Sequence, residues 1–163
     1  MNINNTVHSL FEDGLIGIGL NPTSAQSKMS SATNLIDLLH DGFYIVFLLK
    51  QQYIPSNVDE FRDKILNLLN HFENQARKLQ FSANDIHDAK YAYCALLDET
   101  IVTQQSAQFF DLQNNWMISP LQLSLFGSQL AGYRFFESLE FLRSQGKDRL
   151  AALEVFHYCM LLG

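Results

Sequence analysis

The stretch AKYAYCALLDE, residues 89–99, is an almost unbroken apolar run that ends in two adjacent acids, Asp98 and Glu99. Its apolar side chains follow the spacing of a helix, without the strict alternation that is typical of a half-buried strand. At roughly 100° per residue, Tyr91, Ala95 and Asp98 share one stripe, and Glu99 falls inside the same apolar arc. The stretch therefore predicts a buried helix that carries two carboxylates on a face suited to core packing.

Two explanations can account for carboxylates in an apolar arc. An isolated ionised carboxylate in a dry core costs too much to be kept without partners. One or both acids can therefore cap the start of a neighbouring helix or pair with a base, for which Arg134 and Lys90 are available. Alternatively, the arc lines a cleft between helices, where the acids meet water and a partner. Because Asp98 lies at the centre of the arc, we expect it to be the more structural acid and Glu99 to lie nearer the open side.

Helical spacing also dominates the rest of the chain beyond residue 32. Ser82 can cap the helix that holds residues 89–99, with an acid three residues later. Residues 104–119, rich in Gln and Asn, are interpreted as a long loop, and residues 1–32 as a loose N-terminal arm with too much Gly for a stable helix. The pattern predicts an all-α domain of about six to eight helices over residues 33–163, with the main segments at about 33–49, 57–79, 82–103, 120–126, 131–143 and 148–162.

Composition limits the classes of function that are open to the chain. With 163 residues and 47% hydrophobic content, it can bury one core or two small ones. A net charge of −6 with only 17% charged residues argues against a nucleic-acid-binding surface. The two cysteines, Cys94 and Cys159, have apolar neighbours and no paired spacing, which is typical of buried thiols in a reducing compartment. The N-terminus has no secretory signal pattern, so we expect a cytosolic domain.

The sequence contains no membrane span of its own. Its longest uninterrupted apolar run, residues 43–49, is far shorter than the about 20 residues that a bilayer helix requires. The last residues, 155–163, stop within an apolar pattern. Either a final helix docks into the core or the chain continues in a longer parent protein, and the sequence leaves both open.

Catalysis and metal binding lack a compact motif. Adjacent carboxylates on a helix diverge by roughly 100° and do not readily flank one substrate bond. The five histidines are scattered, and none belongs to a ligand set such as HExxH. The glycines Gly14, Gly17 and Gly19 lack the Lys-Ser/Thr ending of a phosphate-binding loop. We therefore expect no enzyme activity, no cofactor and no metal.

Residues 89–99 resemble the signature of the TssL/DotU (IcmH) family of bacterial type VI and type IVb secretion systems, which is close to A-x-Y-A-L-C-A-L-L-D-E. Further motifs are similar to those of the family in order and spacing. They are Trp116, the Ser-Leu-Phe-Gly turn at 124–127 and the aromatic segment at 132–140. The resemblance covers about residues 33–163.

The resemblance implies the cytosolic helical domain of an inner-membrane protein, shaped like a hook from two small helical bundles and followed by a C-terminal transmembrane anchor outside this chain. It implies a scaffold without catalysis that joins TssM and TssJ in a trans-envelope complex and contacts baseplate proteins such as TssK; a homodimer stays open. In the family, the Asp-Glu pair lies in a cleft and is linked to partner binding, and by motif match that pair is Asp98 and Glu99. Two positions depart from the family pattern, because Ala131 replaces a Gly and Tyr133 replaces a Glu.

A second hypothesis belongs to a different class of protein. It is a small helical enzyme or sensor whose Asp98 and Glu99 carboxylates bind a metal or a ligand. Saturable binding of a divalent metal that Asp98→Asn abolishes would favour it. The scaffold hypothesis is preferred because the acids interrupt a core-like arc and the family motifs cover most of the chain.

Overall fold

The computed structural model describes residues 34–127 and 131–163, so the loose arm predicted at residues 1–32 lies outside the described residues. Every regular element in these two ranges is helical, which confirms the all-α prediction. Within them, no helix combines the length and the apolar character that crossing a bilayer requires. The α-helices are α1 (Leu35–Leu38), α2 (His40–Lys50), α3 (Val58–Lys78), α4 (Ala83–Val102), α5 (Phe110–Ile118), α6 (Leu121–Phe126), α7 (Ala131–Gln145) and α8 (Leu150–Leu162), with short 3-10 helices at Ala107–Phe109 and Gly146–Arg149.

Local capping starts the two longest helices where the sequence places them. The Asn57 side chain accepts a hydrogen bond from the Glu60 N–H at 3.1 Å before α3. Ser82 Oγ accepts one from the Asp85 N–H at 3.0 Å before α4. These side chains satisfy first-turn amides that have no partner within the helix. The cap predicted at Ser82 is confirmed.

The first predicted helix is divided in two at Leu39. The Leu39 N–H donates both to the Leu35 carbonyl at 3.2 Å and to the Ile36 carbonyl at 3.1 Å, so the chain tightens between α1 and α2. Leu35 and Leu39 are both fully buried. The break therefore changes the local geometry without moving the segment out of the core.

The loop predicted at residues 104–119 is wrong over most of its length, because this segment contains a 3-10 turn and the whole of α5. Phe109, Leu112 and Trp116 recur at helical spacing and are almost completely buried. Gln and Asn residues between them have only moderate helix preference. Burial of the three apolar side chains stabilises a helix that local preference alone does not indicate.

Helix α4 is the centre of the fold. It packs against α2, α3 and each of the helices α5 to α8, and every residue from 91 to 98 is buried. The contact with α2 is close because Gly42 has no side chain: a Cβ there would lie 2.8 Å from the ring of Tyr93. The Tyr93 hydroxyl donates to the Gly42 carbonyl at 3.1 Å. The helix predicted for residues 89–99 is confirmed, and it is buried except at Lys90, which is half-buried, and Glu99, which is exposed.

Helix α6 runs antiparallel to α4. Its first residue, Leu121, lies beside Asp98, and its last residue, Phe126, packs edge-on against Tyr91 with 5.3 Å between ring centroids. Gly127 then ends the helix in the left-handed region, with φ of 66°, where glycine has no Cβ to clash. Helix α6 is thus held against α4 at both ends.

The turn between α7 and α8 is held against the start of α4 by Arg149. Its guanidinium donates to Asp85 at 2.7 Å and to Asp88 at 2.5 Å. Both carboxylates and the guanidinium are largely shielded from water, so these charge-assisted hydrogen bonds are well placed to orient the turn. Helices α7 and α8 therefore approach α4 in a defined position and leave a groove beside Glu99.

Candidate functional site

Asp98 is 6% exposed, and N–H groups of two other helices surround its carboxylate. The indole Nε1–H of Trp116 donates to Oδ1 at 2.7 Å. The backbone N–H of Leu121 donates to Oδ1 at 3.0 Å, and that of Gln122 donates to Oδ2 at 2.9 Å. The carboxylate is therefore satisfied by α5 and α6 within the protein.

The start of α6 explains why an acid suits this position. Pro120 precedes the helix and has no N–H, so Leu121 and Gln122 carry its first free amides. These amides form the positive end of the helix dipole, which favours a carboxylate. Asp98 supplies, from a distant part of the chain, the cap that Pro120 cannot provide. This is one of the two explanations that the sequence leaves open.

A second layer of contacts holds Trp116 in place. The Arg62 guanidinium carbon lies 4.3 Å from the centroid of the Trp116 ring, and Arg62 Nη1 donates to the Ser119 carbonyl at 2.6 Å. The ring of Phe61 also packs against Trp116, with centroids 5.6 Å apart. Helix α3 thus supports the donors of Asp98 and brings a positive charge near its carboxylate.

Burial raises the pKa of Asp98 above its ordinary value of 3.8, because removal from water penalises the charged carboxylate. The hydrogen bonds from Gln122, Trp116 and Leu121 lower the pKa, as does the charge of Arg62. The net shift of the pKa is upward, so the effect of burial is larger than the combined effect of the three hydrogen-bond donors and the charge of Arg62.

Neither of the two bases that the sequence offers as possible partners for the acids donates to Asp98. Lys90 donates instead to Glu73 of α3 at 2.6 Å, and Arg134 is exposed on α7. Helix capping is one of the explanations that the sequence offers for the acids, and the structure places the donors in residues 116–122. No local pattern connects that segment with Asp98.

Glu99 is exposed and borders a groove between α4, α7 and α8. The groove has a volume of about 390 Å³, and apart from the carboxylate of Glu99 its side chains are apolar. We call it the Glu99 groove, and its lining residues are Ala95, Leu96, Glu99, Phe135, Phe136, Cys159, Met160 and Gly163. Asp98 does not line it, so the two acids of the predicted pair have different surroundings.

The α7 and α8 wall of the Glu99 groove is continuous with the core. Phe135 packs on Phe156 with 4.7 Å between ring centroids. Cys159 is 3% exposed, and burial raises the pKa of its thiol to about 12. A thiol with such a pKa stays protonated near neutral pH and is a poor nucleophile. The groove therefore offers apolar contact and one carboxylate.

A family model described as "Type VI secretion system protein DotU" matches residues 34–163. The chain belongs to the DotU family. A solved structure, "Cytoplasmic domain of TssL from Acinetobacter baumannii", is 75% identical, covers 81% of this chain and 82% of its own, and superposes with a TM-score of 0.79. A search of curated proteins gave no match. The resemblance seen in residues 89–99 is confirmed, and the DotU-family chain is a type VI secretion subunit of the TssL type.

The metal-binding hypothesis has no geometric support at the acid pair of this DotU-family chain. Within residues 34–127 and 131–163, no three His, Cys, Asp or Glu side chains come close enough together to hold an ion. Asp98 already accepts hydrogen bonds on both oxygens. Glu99 is the single carboxylate on the lining of its groove. Contact of either acid with a partner stays a prediction.

The residues of α7 and α8 that line the Glu99 groove were not predicted from the sequence of the DotU-family chain. The adjacent residues Phe135 and Phe136 indicate an exposed ring. Neighbouring residues on a helix diverge by roughly 100°, so the two rings cannot both face the core. The structure leaves Phe136 59% exposed at the edge of the groove. Met160 carries no such signal, because an apolar residue in an apolar helix is typical of core.

Proposed function

We propose that this chain is a non-catalytic docking subunit of a type VI secretion membrane complex, with its helical domain facing the cytoplasm at the bacterial inner membrane. Membership of the DotU family and similarity to a TssL cytoplasmic domain support this proposal. Its proposed partners are a TssK-like baseplate protein and the membrane complex that contains TssM-like and TssJ proteins. Attachment through a C-terminal anchor outside this chain is part of the same proposal.

The Glu99 groove is the main structural support for this proposal. An apolar groove with one carboxylate at its edge suits a protein partner that inserts apolar side chains and presents a hydrogen-bond donor or a cation to Glu99. Asp98 acts indirectly, because its cap positions α6 against α4. We therefore assign partner contact to Glu99 and a positioning role to Asp98.

Biolayer interferometry with the TssK-like and TssM-like proteins of the same bacterium tests this function. Glu99→Lys reverses the charge beside the groove, and Met160→Glu places a carboxylate on its apolar wall. We expect each change to weaken binding of at least one partner about tenfold, which corresponds to about 1.4 kcal/mol. Glu154→Lys is the matched control, since Glu154 is an exposed acid of α8 outside the groove lining.

Wild-type affinity in both groove variants, with unchanged melting temperatures, would contradict docking in the groove. An equal loss in Glu154→Lys would also count against it, because net charge alone would then explain the effect. Variants of Asp98 do not serve this test, since loss of its cap is expected to weaken the fold itself.

A further inference from the structure

Helix α7 carries different sets of side chains on its two sides. The inward side holds Leu139 and Leu142, which are 7% and 0% exposed, and Phe135, which packs on α8. A surface helix normally places charged and polar residues on its opposite side. On α7 the opposite side holds three large aromatic residues, with acids between them.

The aromatic residues on the outward side extend into solvent. The exposed fractions are 69% for Tyr133, 59% for Phe136 and 56% for Phe141. At roughly 100° per residue, they fall with Glu137 and Glu140 in an arc of about 140°. A single exposed apolar residue needs no explanation, but a contiguous group of them indicates a contact surface. We call these five residues the α7 ridge.

The acids of the α7 ridge lie beside its rings. Tyr133, Phe136, Glu137 and Glu140 line one shallow concavity, and a hydrogen bond joins the Tyr133 and Glu137 side chains. Glu140 accepts a hydrogen bond from Arg143 at 2.8 Å, but this pair is exposed and is easily exchanged for another cation. Aromatic faces and carboxylates both attract cations. The ridge therefore has the chemistry of a surface for Lys or Arg side chains.

We propose that the α7 ridge binds a basic segment of a partner protein, whose Lys or Arg side chains lie over its rings and meet its two carboxylates. The net charge of −6 favours the approach of such a segment. A second copy of the chain is a poorer occupant, because it carries the same net charge of −6. The ridge shares only Phe136 with the Glu99 groove, so this proposal does not depend on the function proposed for the groove.

Fluorescence anisotropy with a fluorescein-labelled helical peptide of Lys and Leu, titrated with the full chain, tests the ridge. We expect Tyr133→Ala and Glu137→Gln each to weaken binding about threefold, the size of one exposed cation–π or ion-pair contact. High salt should weaken wild-type binding as well. The matched controls are Phe110→Ala, which removes a ring that is 63% exposed on α5, and Glu154→Gln, which removes an exposed acid on α8.

The proposal is supported if Tyr133→Ala and Glu137→Gln weaken peptide binding while both control variants bind the peptide with wild-type affinity. Equal losses in ridge and control variants would overturn it, because only overall charge and hydrophobicity would then matter. A loss in Glu99→Gln without a loss in Tyr133→Ala would also overturn it, and would leave the function of the groove intact. Melting temperatures check that the variants fold, which the exposure of both ridge positions leads us to expect.

Two further measurements address other occupants of the ridge. Concentration-dependent dimers in light scattering that Tyr133→Ala abolishes would identify a second copy of the chain and overturn the proposal. Binding to phosphatidylglycerol vesicles that Tyr133→Ala abolishes would identify a lipid surface and overturn it equally. A chain that stays monomeric in light scattering and does not bind the vesicles supports a basic protein segment as the occupant.

Discussion

The side of α4 that faces α5 and α6 differs from the side that faces α7 and α8 in how it surrounds a carboxylate. On the first side, Asp98 is 6% exposed and accepts hydrogen bonds from Trp116, Leu121 and Gln122. On the second side, Glu99 is exposed beside an apolar groove. Successive residues of a helix diverge by roughly 100°, so one residue step separates an acid needed for packing from an acid that is free to contact a partner.

The largest expected effect is the loss of stability in Asp98→Ala. This change leaves the Trp116 indole N–H and two backbone N–H groups of α6 buried without an acceptor. We expect the free energy of unfolding to fall by about 3 to 5 kcal/mol. Urea denaturation followed by the fluorescence of Trp116, the single tryptophan of the chain, measures it. A loss below about 1 kcal/mol would mean that water replaces the carboxylate and that the two sides of α4 do not differ.

A smaller loss of stability is expected for Trp116→Phe. This change removes one of the three hydrogen-bond donors to Asp98 and reduces the ring surface under Arg62. The backbone donors of α6 remain, so we expect a loss of about 2 kcal/mol. Urea denaturation followed by circular dichroism measures it. Met117→Leu is the control, because Met117 is 57% exposed on the same helix and its replacement should change little. Equal effects at both positions would show that the bond from Trp116 to Asp98 does not stabilise the fold.

The pH dependence of stability tests whether burial or hydrogen bonding dominates the titration of Asp98. Because the pKa of folded Asp98 lies above 3.8, the folded state binds more protons than the unfolded state between these two values. The resulting contribution to stability is complete below 3.8 and is lost as pH rises through the folded pKa. Asp98→Asn abolishes this titration, so wild type should lose stability relative to the variant as pH rises through that window. Thermal melting over an acidic pH series measures it, and a relative gain would show that the N–H donors outweigh burial.

The smallest effect is expected for Glu99→Ala. Glu99 is exposed, and its change should alter the free energy of unfolding by no more than about 0.5 kcal/mol. The same urea denaturation provides the direct contrast with Asp98→Ala. A loss comparable to that of Asp98→Ala would assign Glu99 to the fold and remove the distinction between the two sides of α4.

Local patterns were sufficient for the long helices and for part of the site. Ser82 caps α4 through a residue three positions away, and the start of α6 follows directly from Pro120. Helix α5 was missed because its stability comes from burial of Phe109 and Trp116 against other helices, which the surrounding Gln and Asn residues conceal. The partners of Asp98 were missed for the same reason, since they lie in another part of the chain.

Patterns in the amino-acid sequence are enough to predict a helical chain that resembles the DotU family, a mostly buried helix at residues 89–99, and Asp98 as the more structural of the two acids. These properties depend on spacing over a few residues and on the cost of burying a charge. The folded structure is needed to show that the donors to Asp98 come from α5 and α6, and that Glu99 borders an apolar groove formed with α7 and α8. Those surroundings join segments that are distant along the chain, and the packing of the helices around α4 determines which segments meet.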